Sequence, residues 1–371
     1  MADLYLLSLA LSLTIGVVST VALVALSKTE RFFALFHVRG VTERPRWGGA
    51  VFLIAFAATP YLASALSGEA SEIFSPRSGE FLGLLAAVSL VFLVGFLDDV
   101  RLTSPYLRSA VFFLAGAAVY AAGYRIDDVG LPWGTVLDFG SFGGFFVTVF
   151  WVYATINAFN WLDGKDGVAA GVGTFACVTM AVVAGNSDHP TVALLLVVMT
   201  GAMLGFLPFN LPPASVYVGD SGAYVLGFVL GALSIRGAEG PTEQWFVAVP
   251  LIALGYPILD LSLATVRRIL AQTHPMRGDA DHIHHRLIAH GAGPRGLLVI
   301  IYSYAALFSI GAILVHYVDA TWMEAAVVIT LLTVIGVTLA RLGYVLTLWN
   351  SRSVVWLRQR FFAPETGDIS E

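Results

Sequence analysis

The chain is poor in charge and nearly free of sulfur nucleophiles. Asp, Glu, Lys and Arg make up 12% of its 371 residues, about half the ~25% of an ordinary soluble protein. With 57% hydrophobic residues and a mean hydropathy of +0.81, too few polar side chains remain to clothe water-soluble domains, so a soluble fold is excluded. One cysteine, Cys177 in an apolar run, excludes a disulfide framework and a Cys-based zinc site. No basic stretch precedes the first apolar segment. Asp3 stands there instead, which predicts a retained anchor and not a cleaved leader. No internal repeat is visible, and the longest polar stretch, from about residue 267 to 295, is too short for a soluble domain.

What is present is a series of apolar segments near the ~20 residues needed to cross a bilayer. Eleven can be drawn, at 4–27, 47–67, 81–97, 107–123, 141–159, 167–185, 191–208, 222–235, 244–266, 297–316 and 322–347. The expected fold class is therefore all-α, a polytopic membrane protein of about eleven transmembrane helices. If the N-terminus lies outside, the inner loops, with Arg108 at the inner end of the fourth segment, hold 16 of the 20 Lys and Arg residues. The outer loops hold only Arg77, Arg125 and Arg236. The excess predicts an outside N-terminus and a cytoplasmic C-terminus. Gly201 with Gly205, and Gly227 with Gly231, are small residues four apart, expected to let helices approach closely. The acidic end, 363–371, is expected to be disordered.

The acidic residues of the outer loops show no pattern. Four clusters on the inner side do. The first is Gly95-Phe96-Leu97-Asp98-Asp99. Two adjacent carboxylates at a membrane boundary repel each other unless a cation or a basic partner stands near. The second runs from Asn157 through Asn160 and Asp163 to Asp166 and Gly167. Spacings of three place Asn157, Asn160 and Asp163 on one helical face. Their hard oxygens suit magnesium, and the two Asp-Gly pairs break the helix there. The third, Pro208-Phe209-Asn210 followed by Val218-Gly219-Asp220-Ser221-Gly222, puts a carboxylate at a helix start, either as an N-cap or beside an anion held by free N–H groups. The fourth contains Arg267, Arg268, His274, Arg277, His282, His284, His285 and Arg286. It suits a transition metal or a phosphate clamp, and without Cys or a His-Glu-x-x-His pattern the clamp is preferred. Asp260, inside the ninth segment, either supports this site or pairs with Arg267 or Arg268. Hard oxygen donors together with Arg and His on one membrane face suit phosphoryl transfer between a soluble nucleotide and a lipid.

Over roughly residues 40–290 the chain resembles the polyprenyl-phosphate N-acetylhexosamine-1-phosphate transferases, in particular the bacterial WecA/TagO-like branch related to MraY. The elements that carry the resemblance are Pro45-Arg46-Trp47-Gly48-Gly49, Asp98-Asp99, Asn157 to Gly167, Gly219-Asp220-Ser221-Gly222 and His282-Ile283-His284-His285, in that order. The resemblance implies one transmembrane transferase domain over 1–362 in a bacterial inner membrane, with its active site on the cytoplasmic side. It implies transfer of a sugar-1-phosphate, GlcNAc-1-phosphate by default, from a UDP-N-acetylhexosamine to undecaprenyl or another polyprenyl phosphate, with release of UMP. It also implies a magnesium cofactor, which manganese could replace, and no nucleic-acid partner; a homodimer is left open. By position, Asn160 and Asp220 match the magnesium ligands, and Asp98 and Asp99 match the pair that handles the acceptor phosphate. Asp163 and Asp166 match a second acidic element acting in nucleotide binding or catalysis. Arg46, Arg108, Asn157, Asn210, Arg277, His282, His284 and His285 are the implied substrate-binding set. Two positions depart from the family pattern: Leu102 stands where a third Asp is frequent, and Ala223 where Ser is. Two other classes compete. A secondary transporter would place its polar groups near the midplane of repeated halves. A CDP-alcohol phosphotransferase needs an Arg after Asp166-Gly167-Val168-Ala169, where this chain has Ala170.

Overall fold

The computed structural model describes residues 1–29, 44–101, 103–130, 135–237, 248–273, 281–318, 321–351 and 354. Arg277, His274, Leu102 and the acidic tail lie outside the described residues.

The chain is a helical membrane protein. Each of the eleven apolar segments is helical where it is described. Among the described residues, eight helical stretches are long and apolar enough to cross a membrane, and Pro105–Ala121 is a shorter apolar one. In chain order the helices are α1 (Ala2–Ser27), α2 (Gly48–Leu66), α3 (Gly68–Phe74), α4 (Ser78–Val100), α5 (Pro105–Ala121), α6 (Gly140–Leu162), α7 (Val168–Asn186), α8 (Pro190–Asn210) and α9 (Gly219–Gly237). They continue with α10 (Ala248–Ala253), α11 (Gly255–Leu270), α12 (Ile283–Ala289), α13 (Pro294–Tyr317), α14 (Thr321–Arg341) and α15 (Tyr344–Trp349). One antiparallel pair, β1 (Asp128–Gly130) and β2 (Val136–Asp138), interrupts the all-helical pattern between α5 and α6.

Two segments depart from the continuous spans expected. The ninth breaks at Leu254 into α10 and α11. Pro257 has no N–H for the carbonyl four residues back and crowds it, which weakens the helix at the point where it breaks. The eleventh ends at Arg341 and resumes at Tyr344, with Gly343 at φ +74°, a left-handed stop that glycine adopts without steric penalty.

The helix α9 is the hub. Nearly all of its residues are buried, and it packs against α2, α4, α6 and α7. Small residues permit this. A Cβ on Gly227 would lie 2.5 Å from the Ile156 Cα, and one on Gly231 would lie 2.2 Å from the Thr155 hydroxyl. Gly201 and Gly205 bring α8 equally close to α1. Lipid gives helices no hydrophobic reason to associate, so close backbone approach and dispersion do this work. Around the hub, α4 and α6 end, and α5 and α9 begin, on the same side of the bundle. The four polar clusters meet there.

Candidate active site

The start of α9 is organised by a residue far away in the chain. Asp99, 5% exposed at the end of α4, accepts hydrogen bonds from the backbone N–H of Asp220 (2.8 Å) and of Ser221 (2.9 Å). A carboxylate across two free N–H groups at a helix N-terminus satisfies orphan donors and the positive end of the helix dipole together. The cap read in the sequence at Asp220 or Ser221 is thus supplied by Asp99. Its neighbour Asp98, 1% exposed, is equally saturated. One oxygen accepts from the Thr103 backbone N–H and hydroxyl, both at 2.9 Å. The other accepts from Arg108 at 2.8 Å and from the Tyr224 hydroxyl at 3.1 Å. The adjacent carboxylates escape repulsion because each faces a different positive partner.

Gly219 makes the turn into α9. Its φ is +72°, and a Cβ there would lie 2.1 Å from the Arg46 carbonyl oxygen. Residues 45–48 run alongside, with Tyr217 N–H donating to the Pro45 carbonyl (2.9 Å) and Gly48 N–H to the Tyr217 carbonyl (3.1 Å). This pairing places Arg46 at the rim of a cavity of about 220 Å³ shared with Asp163, Lys165, Asp166 and Asp220. Asn210 also lines it but acts as a strut, accepting from Gly167 N–H (3.0 Å) and donating to the Val216 carbonyl (2.9 Å). Asp166 likewise accepts from Ala214 N–H at 3.0 Å.

A second cavity of about 410 Å³ adjoins it, lined by Arg108, Asn157, Asn160, Trp161 and Arg268, with His282, His284 and His285 closing one side. Gly164 borders both cavities. Between them the Asn160 amide donates to Asp220 Oδ1 at 2.7 Å. The expected face of Asn157, Asn160 and Asp163 is divided, because α6 ends at Leu162. The two amides face the larger cavity and Asp163 the smaller one.

Outside the membrane-spanning helices, Asp163 and His284 have displaced proton affinities. Asp163 keeps some surface toward its cavity, yet protein surrounds it. That withdrawal from water, reinforced by the charges of Asp220 and Asp99, raises its pKa well above the usual carboxylate range, while the Gly219 N–H and Arg46 pull the other way. His284, 1% exposed, is pushed down to about 4 by burial first and then by His285. Among the described residues neither of its ring nitrogens has a hydrogen-bond partner, and its Nε2 lies 2.6 Å from where a Gly164 Cβ would be. A histidine held neutral this way makes the fold acid-sensitive. The unfolded chain takes up this proton near pH ~6.5 and the folded chain only near 4, so stability is full above the upper value and falls as pH drops through the window between them. Thermal unfolding in detergent at pH 7.5 and pH 5 is expected to show that loss. His284→Gln is expected to lose less between the two pH values.

Several lining residues were not singled out from sequence. Tyr153 and Trp161 share the face of Asn157 at four-residue steps, so the period was there to read. Tyr224 sits one turn beyond Asp220. Arg268 belongs to the fourth cluster, but its place over the Trp161 ring at 4.1 Å is a pairing between distant segments that no local pattern announces. Arg286 turns away from the cavities, held by Asp281, the Leu342 carbonyl (2.8 Å) and the Tyr344 ring. Asp260 pairs with neither Arg267 nor Arg268 but with His282, at 2.8 Å.

Among the described residues no three His, Cys, Asp or Glu side chains are grouped closely enough to hold a metal ion alone. The available donor set is therefore mixed: the carboxylates of Asp220 and Asp163 with the amide of Asn160. These are hard oxygen donors, and the charge crowding at Asp163 is of the kind a divalent cation relieves. The residues fit such an ion.

The model of the family described as glycosyl transferase family 4 matches residues 81–238, a stretch that holds Asp98, Asp99, Asn160, Asp163, Asp166 and Asp220. The chain is 30% identical over 289 residues to the "Probable undecaprenyl-phosphate N-acetylglucosaminyl 1-phosphate transferase" of Bacillus subtilis (strain 168), covering 78% of this chain and 77% of the relative. It is also 30% identical over 325 residues to the "Decaprenyl-phosphate N-acetylglucosaminephosphotransferase" of Mycolicibacterium smegmatis, covering 81% and 78%. A shorter match, 31% over 233 residues and 61% and 63% of the two chains, joins it to the "Undecaprenyl-phosphate alpha-N-acetylglucosaminyl 1-phosphate transferase" of Yersinia pestis. With more than two thirds of two relatives covered at this identity, and the family model lying across Asp98, Asp99, Asp163, Asp166 and Asp220, the chain belongs to glycosyl transferase family 4.

Proposed function

We propose that this protein transfers an N-acetylhexosamine-1-phosphate, GlcNAc-1-phosphate by default, from a UDP-sugar to a polyprenyl phosphate such as undecaprenyl phosphate. UMP leaves, and the lipid-pyrophosphate-sugar begins a cell-envelope glycan. The relatives' names support this reading. The observation that carries it is the adjoining of an acidic cavity and a basic, aromatic one across the Asn160–Asp220 hydrogen bond. That arrangement suits two phosphate-bearing substrates meeting at one point. We also propose that all eleven segments cross the bilayer, with the N-terminus outside and the site at the cytoplasmic face of a bacterial inner membrane, as the distribution of basic residues indicates.

In the same reading Asp220, Asn160 and Asp163 would hold magnesium, which would neutralise charge gathering on the transferred phosphoryl group. The protein's own residues orient the reactants. Arg46 and Lys165 offer cations in the smaller cavity, and Arg108, Arg268 and the histidines do so in the larger one. An oxygen of the lipid phosphate attacks the sugar-bearing phosphorus, a P–O bond forms, and the bond to the UMP oxygen breaks. A phosphate monoester loses its second proton near ~6, so the attacking group is already dianionic at neutral pH and needs no strong base. All four oxygens of Asp98 and Asp99 are engaged in hydrogen bonds, which favours direct attack over a covalent aspartyl route. A sugar-phosphate adduct trapped on either residue would reverse that preference.

The polar groups crowd one end of the helices, which disfavours a midplane transporter. The deciding experiment uses purified protein, undecaprenyl phosphate, a panel of UDP-sugars and one CDP-linked donor, with magnesium present or chelated. UMP release that needs both the lipid phosphate and the metal is expected. Turnover of the CDP donor alone would move the protein to another reaction class.

A further inference from the structure

The carboxylate of Asp260 is 2% exposed in α11, where an unpaired charge would be costly. Both of its oxygens are spent on one short segment. Oδ1 accepts from the Ile283 backbone N–H at 2.9 Å, and Oδ2 lies 2.8 Å from His282 Nδ1. His282 is the residue that begins α12, and it provides no side-chain cap of its own. Asp260 therefore caps α12 from a neighbouring helix and grips the first histidine of that segment with the same group.

This grip has a chemical consequence. A carboxylate can only accept, so Nδ1 of His282 must carry the proton. The nitrogen left for a ligand is Nε2, on a ring that lines the larger cavity. The ring has little room to turn. It meets the Trp161 edge with centroids 5.8 Å apart, and it lies parallel to His284 at 5.7 Å. Trp161 is in turn covered by Arg268. An outer carboxylate that fixes the tautomer and direction of an imidazole is a recurring device in sites where that ring must meet a ligand in one orientation.

We propose that Asp260 is a positioning residue of the transferase reaction, holding His282 with Nε2 presented to the sugar-nucleotide while anchoring the start of α12. This rests on the function proposed above. Asparagine can still accept from the Ile283 N–H, so what Asp260→Asn removes is the grip on His282, and its effect on turnover must vanish when that ring is gone.

The test is a double-mutant cycle with a spectroscopic check. In Asp260→Asn, kcat/KM for the UDP-sugar is expected to fall on the order of 10- to 100-fold, the usual consequence of removing such an outer partner, with KM for undecaprenyl phosphate unchanged. In a His282→Gln background the same substitution is expected to cost nothing further. Independent losses that multiply in the double variant would overturn the proposal, as would wild-type kinetics in Asp260→Asn. The second measurement needs only the wild-type fold. Two-bond 1H–15N spectra of 15N-histidine-labelled protein in detergent, with His282 identified by the signal missing in His282→Gln, are expected to show its proton on Nδ1. A proton on Nε2 alone would refute the arrangement even if Asp260→Asn failed to fold. Because these spectra need no turnover, they remain decisive if no UDP-sugar releases UMP, an outcome that would sink the proposed function instead.

Discussion

Asp220→Ala and Asn160→Ala are each expected to abolish UMP release, with a loss of about 10³-fold or more that added magnesium does not restore. The two side chains form the wall between the cavities, joined at 2.7 Å. Asp220 sits in the first turn of α9, so its carboxylate is fixed beside the positive end of a helix dipole. Asn160 sits in the last turn of α6, two residues before the helix ends. Each is therefore placed by the rigid end of a buried helix, and a 1 Å error in such placement costs heavily in phosphoryl transfer. Asn160→Asp keeps an oxygen donor and is expected to retain partial activity, needing a different metal concentration. The measurement is initial-rate UMP release by purified variants across a magnesium titration that saturates the wild type. Full activity in either alanine variant removes that residue from the metal-binding set.

Reading the sequence located these residues but not their relationships. Apolar runs gave the helices because their length and lack of charge are properties of the segments themselves. Charge counting found the clustered side for the same reason. The Asp-Gly pairs correctly marked the break between α6 and α7, where Gly167, at φ +78°, stands just before α7 in a backbone that other residues resist. The partnerships were not legible. Asp99 and Asp220 are separated by 121 positions, and Asp260 and His282 by 22. No local period connects such pairs; only packing around α9 does. Asn210 and Asp166 line the smaller cavity, and their hydrogen bonds also tie loops together, contacts that residue type alone does not reveal. The breaks at Leu254 and Gly343 were visible in Pro257 and Gly343 but were outweighed by the hydropathy on either side.

Asp99→Ala separates two roles that sequence alone leaves merged. If the residue served only the acceptor phosphate, its removal would slow turnover and leave the fold alone. The geometry assigns it the N-terminus of α9, where its two oxygens take the N–H groups of Asp220 and Ser221. Alanine leaves both donors without their partner in a buried setting, at a cost of about 1–3 kcal/mol for each unsatisfied group. A stability loss of about 2–6 kcal/mol is therefore expected without any substrate present. Turnover is expected to fall below about 1% of wild type, because the turn that aims Asp220 is no longer held. Asp99→Asn keeps one acceptor oxygen but turns an NH2 group toward a donor, so it should lie between wild type and Asp99→Ala in stability. Unfolding followed in detergent without ligand, alongside UMP release, reads both quantities. An Asp99→Ala protein as stable as wild type but inactive would transfer Asp99 from the scaffold to the chemistry. Equal stability with full activity would leave the helix start held by the glycine contacts of α2 and α4 alone, where Cβ atoms on Gly49 and Gly95 would come within 2.5 and 2.6 Å of Ser221.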